Sequence, residues 1–128
     1  MNSARNNNNE LHLYVFRLLY VIFRPLRKKY NLSVNCILIL NSCYLYSKLV
    51  KDKFYMTDIY KFTSYYNIPV MKNFFRVLTL RGLIIPINPG EFRVLYNISE
   101  QGIKIIQEIE ESYNKELYNF TNKYNIDL

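Results

Sequence analysis

The chain holds one histidine, two cysteines, three glycines and no tryptophan among 128 residues, and each shortage removes a class of chemistry. The lone His12 sits in an apolar stretch, so no Cys/His cluster has metal-ligand spacing. Three glycines do not furnish a phosphate-cradling loop. Asp52 and Asp58 stand six residues apart with no partner base. The expectation is a protein that is not an enzyme and that carries no cofactor and no metal. Cys36 and Cys43 are seven residues apart, which along a helix axis is about 10 Å, beyond the span of a disulfide. They read as buried thiols, with redox sensing the lesser alternative.

Long hydrophobic runs are also missing. Leu11 to Phe23 is 13 residues long and carries Arg17, and Val34 to Val50 is interrupted by Asn41, Ser42 and Lys48. Neither reaches the ~20 apolar residues that a membrane span requires, so no membrane insertion is expected. An interfacial helix at Leu11 to Phe23, followed by the basic Arg24, Arg27, Lys28 and Lys29, is the alternative. Against it, apolar residues cover nearly all sides of that helix. Unpaired cysteines and the lack of a cleavable leader lead to the expectation of a cytoplasmic protein, nucleoid-associated if it binds DNA.

What is present is a run of local signals from Met56 to Gly102. Thr57 is a hydroxyl cap for a short helix opened by Asp58, whose charge suits the positive end of the helix dipole. Tyr65, Tyr66 and Asn67 interrupt that helix. Asn67 can cap a second helix whose first turn tolerates Pro69, because the missing N–H would be unpaired there. In this second helix Ile68, Met71, Phe74, Phe75 and Leu78 recur at three- and four-residue spacing, leaving Lys72, Asn73, Arg76 and Thr79 on the opposite face. Gly82 after Arg81 suits a left-handed helix end. The pattern then becomes strand-like from Leu83 to Ile87 and from Phe92 to Ile98. Between them, Asn88-Pro89-Gly90-Glu91 has the residue order of a type II turn. Pro86 cannot donate to a ladder, so its strand is expected at an edge. Ser99 caps a final long helix.

Helix, turn, helix, hairpin and capped helix in that order resemble a MarR-like winged helix-turn-helix transcriptional regulator, with PadR-like winged helices as near neighbours. Leu78-Thr79-Leu80-Arg81-Gly82-Leu83-Ile84 is similar to the "L-x-x-[KR]-G-L-[VI]" end of that family's recognition helix. Ile98-Ser99-Glu100-Gln101-Gly102 is similar to the "L-T-x-x-G" start of the helix after its wing, and Tyr30-Asn31-Leu32-Ser33 to its "G-L-T" step into the second helix. The fold class expected is mainly α with a small β-hairpin wing, flanked by N- and C-terminal dimerisation helices. The boundaries expected are a disordered Asn-rich arm at 1–9 and a single winged-helix domain at 10–128. Within it fall a first helix at 10–30, a second at 33–50, the helix-turn-helix at 57–82, the wing at 83–98 and the C-terminal helix at 99–126.

The terminal helices ask for partners. Leu11 to Phe23 is apolar all round, and Ile103, Ile106, Ile109, Tyr113, Leu117, Phe120 and Tyr124 repeat at helical spacing over some 25 residues, roughly 38 Å of helix. The family resemblance implies that these helices form a dimer interface, and a homodimer is expected, with Leu13, Phe16, Leu19, Tyr20, Phe23, Tyr113, Leu117 and Phe120 at it. The alternative is packing of the terminal helices on each other within one chain. The resemblance also implies a small lipophilic effector as a ligand.

Charge is split along the chain. Residues 1–98 hold 14 Lys/Arg against 4 Asp/Glu, and residues 99–128 hold 3 against 6. The half that would read nucleic acid is the basic half, as phosphate contact requires. Double-stranded DNA is therefore the expected partner. Val70, Lys72, Asn73 and Arg76 are expected to project from a recognition helix at about 68–81 into a major groove, Asn suiting adenine and Arg guanine. Arg93 in the wing, at 84–98, would reach a flanking groove or phosphate, and Thr57 and Lys61 would hold the backbone. The wing departs from the family's arginine-rich "D-x-R-x-x-R", keeping one Arg and adding Glu91. Pro69 and Val70 replace small hydroxyl residues. These departures keep a second reading open, a winged-helix structural or adaptor protein that makes protein contacts through exposed Tyr and Phe.

Overall fold

The computed structural model describes the backbone of residues 3–63 and 66–125, and side chains from Leu13 onward within those stretches, Val15 excepted. The expectations that fall on His12, Tyr65 and residue 126 lie outside the described side chains or backbone. Eight elements follow in order: α1 (Ser3–Tyr30), α2 (Val34–Leu49), β1 (Phe54–Tyr55), α3 (Met56–Thr63), α4 (Ile68–Leu80), β2 (Ile84–Pro86), β3 (Leu95–Ile98) and α5 (Glu100–Tyr124). Their contacts divide the chain into two compact units, one of Leu32–Ile106 and one of Met1–Asn31 with Gln107–Leu128. A single domain over 10–128 was expected. The difference arises because α1 and the later turns of α5 make their own set of contacts.

The unit Leu32–Ile106 is organised around α2. Ser33 caps this helix, accepting from the Cys36 N–H at 3.1 Å, and Ile37, Ile39, Leu40 and Cys43 are fully buried. A helix that is apolar on every side must be enclosed, and α2 is enclosed by α3, α4 and β1. Each fully buried aliphatic side chain contributes about 1.5–3 kcal/mol relative to exposure. Aromatic rings bind the surrounding elements together. Phe54 of β1 stacks on Tyr96 of β3 at 6.3 Å and meets Phe75 of α4 edge-on at 6.2 Å. Phe75 and Tyr96 close the triangle at 5.0 Å. The abundance of aromatic residues therefore serves packing in this unit.

The sheet has the order β1-β3-β2, with both pairings antiparallel. Phe54 faces Tyr96, and Pro86 faces Tyr96 from the other side. As expected from Pro86, β2 is an edge strand. The second wing strand begins at Leu95, later than the expected Phe92. The Asn88 side chain accounts for the delay. It accepts from the Leu95 N–H at 2.6 Å and donates to the Arg93 carbonyl at 3.1 Å, closing a loop where a ladder would otherwise continue.

Helix ends follow local chemistry. Asn67 accepts from the Val70 N–H at 3.0 Å. At the other end of α4, Gly82 has a φ of 69°. Its N–H donates to the Thr79 carbonyl, and that of Leu83 donates to the Leu78 carbonyl. This paired closure satisfies two carbonyls at the end of the helix. Gly90 has a φ of 91°, and the Glu91 N–H donates to the Asn88 carbonyl at 3.2 Å, a type II turn. Ser99 accepts from the Gly102 N–H and donates to the Leu83 carbonyl, both at 3.0 Å. A Cβ at Gly102 would stand 2.5 Å from that same Leu83 carbonyl oxygen, so glycine there permits α5 to approach the start of β2.

Two expected starts are corrected. α3 opens at Met56, not after Thr57, because the Asp58 carboxylate reaches back to accept from the Tyr55 N–H at 2.9 Å. That makes Asp58 the returning half of a capping box. α1 is helical from Ser3, where a disordered arm was expected over 1–9. Once the apolar turns of α1 have formed, adding a residue requires no new nucleation, so even asparagines can continue the helix.

In the unit of Met1–Asn31 and Gln107–Leu128, α1 contains Pro25 without ending there. Proline removes the donor for the Val21 carbonyl and disfavours a straight helix. α1 closes at Asn31, whose φ of 52° is left-handed, a conformation that asparagine tolerates. Tyr14 lies on Phe120 with ring centroids 3.4 Å apart, and Phe120 meets Tyr124 at 4.8 Å. Lys29 pairs with Glu108 at 2.7 Å, and the Tyr30 hydroxyl donates to the other Glu108 oxygen.

Candidate nucleic-acid interface

α4 follows its sequence period except at its first residue, since Ile68, expected on the packing side, is exposed at the helix start. Met71, Phe75 and Leu78 are buried while Val70, Lys72, Asn73 and Arg76 are exposed. Asn73 and Arg76 are one turn apart, and the Arg76 guanidinium donates to Asn73 Oδ1 at 2.9 Å. That bond holds both side chains in a known orientation. It also occupies the oxygen that a paired contact with adenine uses, so reading adenine through Asn73 requires the pair to open.

A cavity of about 270 Å³ lies between the wing, the start of α3 and α4, lined by Tyr55, Thr57, Lys72, Phe92, Arg93 and Tyr96 among others. Three of the residues chosen from sequence, Thr57, Lys72 and Arg93, meet there. Arg93 turns back from the wing toward the start of α3. Its guanidinium lies 4.0 Å from the centroid of the Tyr55 ring and donates to Thr57 Oγ1 at 3.3 Å. A cation over an aromatic face is attracted by the ring's quadrupole, and this contact turns the side chain toward α3. Lys61 and Val70 do not line the cavity; both are exposed on their own helices.

Sequence reasoning missed Tyr55, which carries Arg93, and Asn88, which shapes the wing. It also missed Phe92 as a component of the wing surface. The order Asn-Pro-Gly-Glu-Phe-Arg places a large ring just after a tight turn, a signal that was readable but was absorbed into the strand pattern. Burial pushes the Tyr96 hydroxyl above its ordinary pKa, which keeps it neutral beneath the basic surface. Burial likewise pushes the Cys43 thiol upward, against a reactive thiolate there. Among the described residues, no group of three or more His, Cys, Asp or Glu side chains could hold a metal ion.

The residues expected at a dimer interface divide by exposure. Leu13, Phe16 and Tyr20 are exposed, Phe16 by 79%. Leu19, Tyr113, Leu117 and Phe120 are half-buried, and Phe23 is buried. Phe23 is thus corrected from an interface residue to a core one, since its ring is already covered within the chain. A second cavity, also of about 270 Å³, is lined by Tyr14, Arg17, Glu116, Phe120, Lys123 and Tyr124 among others. No described helix is long and apolar enough to cross a membrane.

No protein-family profile matches the sequence, and no curated protein matches it by sequence. Solved structures do match by shape. MepR, a transcription regulator of the Staphylococcus aureus multidrug efflux pump MepA, superposes with a TM-score of 0.70 at 17% identity, covering 88% of this chain and 80% of MepR. A cysteine-to-serine mutant of MarR from E. coli, solved with operator DNA, gives 0.62 at 17%, covering 98% and 86%. NadR, solved with 4-hydroxyphenylacetate, gives 0.62 at 18%, covering 91% and 79%. The chain has the MarR winged-helix fold, with five helices and a small antiparallel sheet among the described residues.

Proposed function

We propose that the chain is a DNA-binding transcriptional regulator of MarR-like type that acts as a homodimer, by binding and not by catalysis. In this reading α4 enters the major groove with Val70, Lys72, Asn73 and Arg76, while the wing lies at the flanking groove. Thr57, Lys61 and Arg93 hold phosphates. The observation that carries the proposal is the face of α4, where an amide and two cations stand exposed on a helix fixed at both ends. The basic balance of residues 1–98 supports it. With two-fold symmetry, half-sites should lie about 34–36 Å apart. Such a protein would work in the cytoplasm, at the nucleoid.

Lys72→Ala combined with Arg76→Ala is the test. The affinity for selected duplex DNA should fall at least tenfold, and the slope of log K against log salt should shrink by about 2 if both side chains neutralise phosphate. Unchanged affinity and slope would discard this surface. NadR's bound aromatic acid gives a rationale for a small lipophilic effector. The cavity beside Tyr14 and Phe120, with its ring walls and the cations Arg17 and Lys123, has the chemistry to hold an aromatic acid.

A second reading rests on the wing, where Ile85, Ile87 and Phe92 are exposed and Glu91 replaces a cation. An adaptor that contacts another protein would use such a surface. It would bind no duplex even at low salt.

A further inference from the structure

Phe92 is 102% exposed, a ring held wholly in solvent. The other phenylalanines of the Leu32–Ile106 unit each meet another ring: Phe54, Phe62, Phe74 and Phe75 pair with Tyr46, Tyr66 or Tyr96 or with one another. Isolation of one large ring at a rigid tip is a different arrangement. The loop that carries it is tied at Glu91 N–H to Asn88 carbonyl and through both ends of the Asn88 amide. Little ordering remains to be done when the ring meets a partner, which lowers the cost of binding.

The charges around the ring indicate which partner. Arg93 follows it and is held over Tyr55, and Lys72 lines the same cavity. Two cations, one from the wing and one from α4, therefore line the cavity beside the loop that carries the ring. Glu91 precedes it, so the tip itself cannot make the electrostatic contact that an arginine would make in a narrow groove. What the tip can supply is an apolar flat face, with phosphate contacts to its side. Apolar wedges of this kind enter the minor groove between base steps and kink the duplex by about 20–90°.

We propose that Phe92 is a wedge that enters the minor groove beside the site read by α4 and partly unstacks a base step, so that this chain bends its DNA. The proposal rests on the DNA-binding reading above. It assigns the wing a different means of recognition from an arginine contact, one favouring flexible pyrimidine–purine steps at the flank.

The test uses the full chain, a duplex selected for binding, and fluorophores at the duplex ends to report bending. A 2-aminopurine at the flanking step reports unstacking. Wild-type protein should raise the 2-aminopurine signal and shorten the end-to-end distance. Phe92→Ala should lose both changes and bind about tenfold more weakly, with an unchanged melting temperature because the ring packs on nothing. Phe92→Leu, still an apolar wedge, should keep most of the bend. Equal bending and unstacking by wild type and Phe92→Ala would overturn the wedge while leaving the DNA reader standing. Absence of any duplex binding by wild type would overturn the reader and the wedge together. Loss of affinity for single strands alone would also overturn it.

Discussion

Both units of the chain stack aromatic rings, but they differ in the apolar surface that one long helix leaves exposed. In Leu32–Ile106, Phe54, Phe75 and Tyr96 turn toward one another beside a helix whose Ile37, Ile39, Leu40 and Cys43 are fully buried. In Met1–Asn31 with Gln107–Leu128, Leu13, Phe16 and Tyr20 face solvent along one long helix. Contiguous exposed apolar surface of this kind marks an interaction site. The unit of Met1–Asn31 with Gln107–Leu128 thus offers a surface that a second copy of the chain would cover in the proposed dimer.

Breaking the closed unit should have the largest effect. Phe54→Ala removes a fully buried ring that touches α2, α4 and β3, and should cost about 3–5 kcal/mol, read by chemical denaturation. A cost below about 1 kcal/mol would mean that the ring triangle does not hold the sheet to the helices. The contrast sharpens with Phe16→Ser plus Tyr20→Ser. This pair should raise the dimer dissociation constant at least tenfold in sedimentation experiments, with little change in the unfolding of the isolated monomer. Wild-type protein that is monomeric at high concentration would remove the basis for the comparison.

The smallest effect concerns pH. Hydrogen bonds from Lys29 and then Tyr30 hold the Glu108 carboxyl below its ordinary pKa. A lowered folded-state pKa adds stability above the unfolded value, near 4.3, and that stability is lost as pH falls through the folded value. Glu108→Gln should therefore lower the melting temperature slightly at neutral pH and flatten the acid limb, the variant and wild-type profiles meeting at low pH. An identical acid limb in the variant would show that the Lys29 pair adds nothing in water, as many exposed pairs do.

Much of α4 and of the segments that flank it was legible in sequence because their determinants are local. The capping and turn roles of Asn67, Gly82, Gly90 and Ser99 each span three residues or fewer, and each does in the structure what its chemistry suggests. β1 was not legible. Two residues are too short to show alternation, and Phe54 becomes strand only by pairing with Tyr96, far along the chain. The direction of Arg93 was not legible for the same reason, since it is set by Tyr55 and Thr57, which no spacing rule connects to the wing. The start of α3 was misplaced because Asp58 can serve a dipole or return to an N–H, and the sequence alone allows both.

The amide of Asn88 has one more consequence, for how the wing ages. Asparagine converts to aspartate when the next backbone nitrogen attacks the side-chain amide, and the next residue is Pro89, whose nitrogen bears no hydrogen. That ring closure is blocked at this position. The donor on which the Arg93 carbonyl depends is thus shielded by its neighbour from that route of loss.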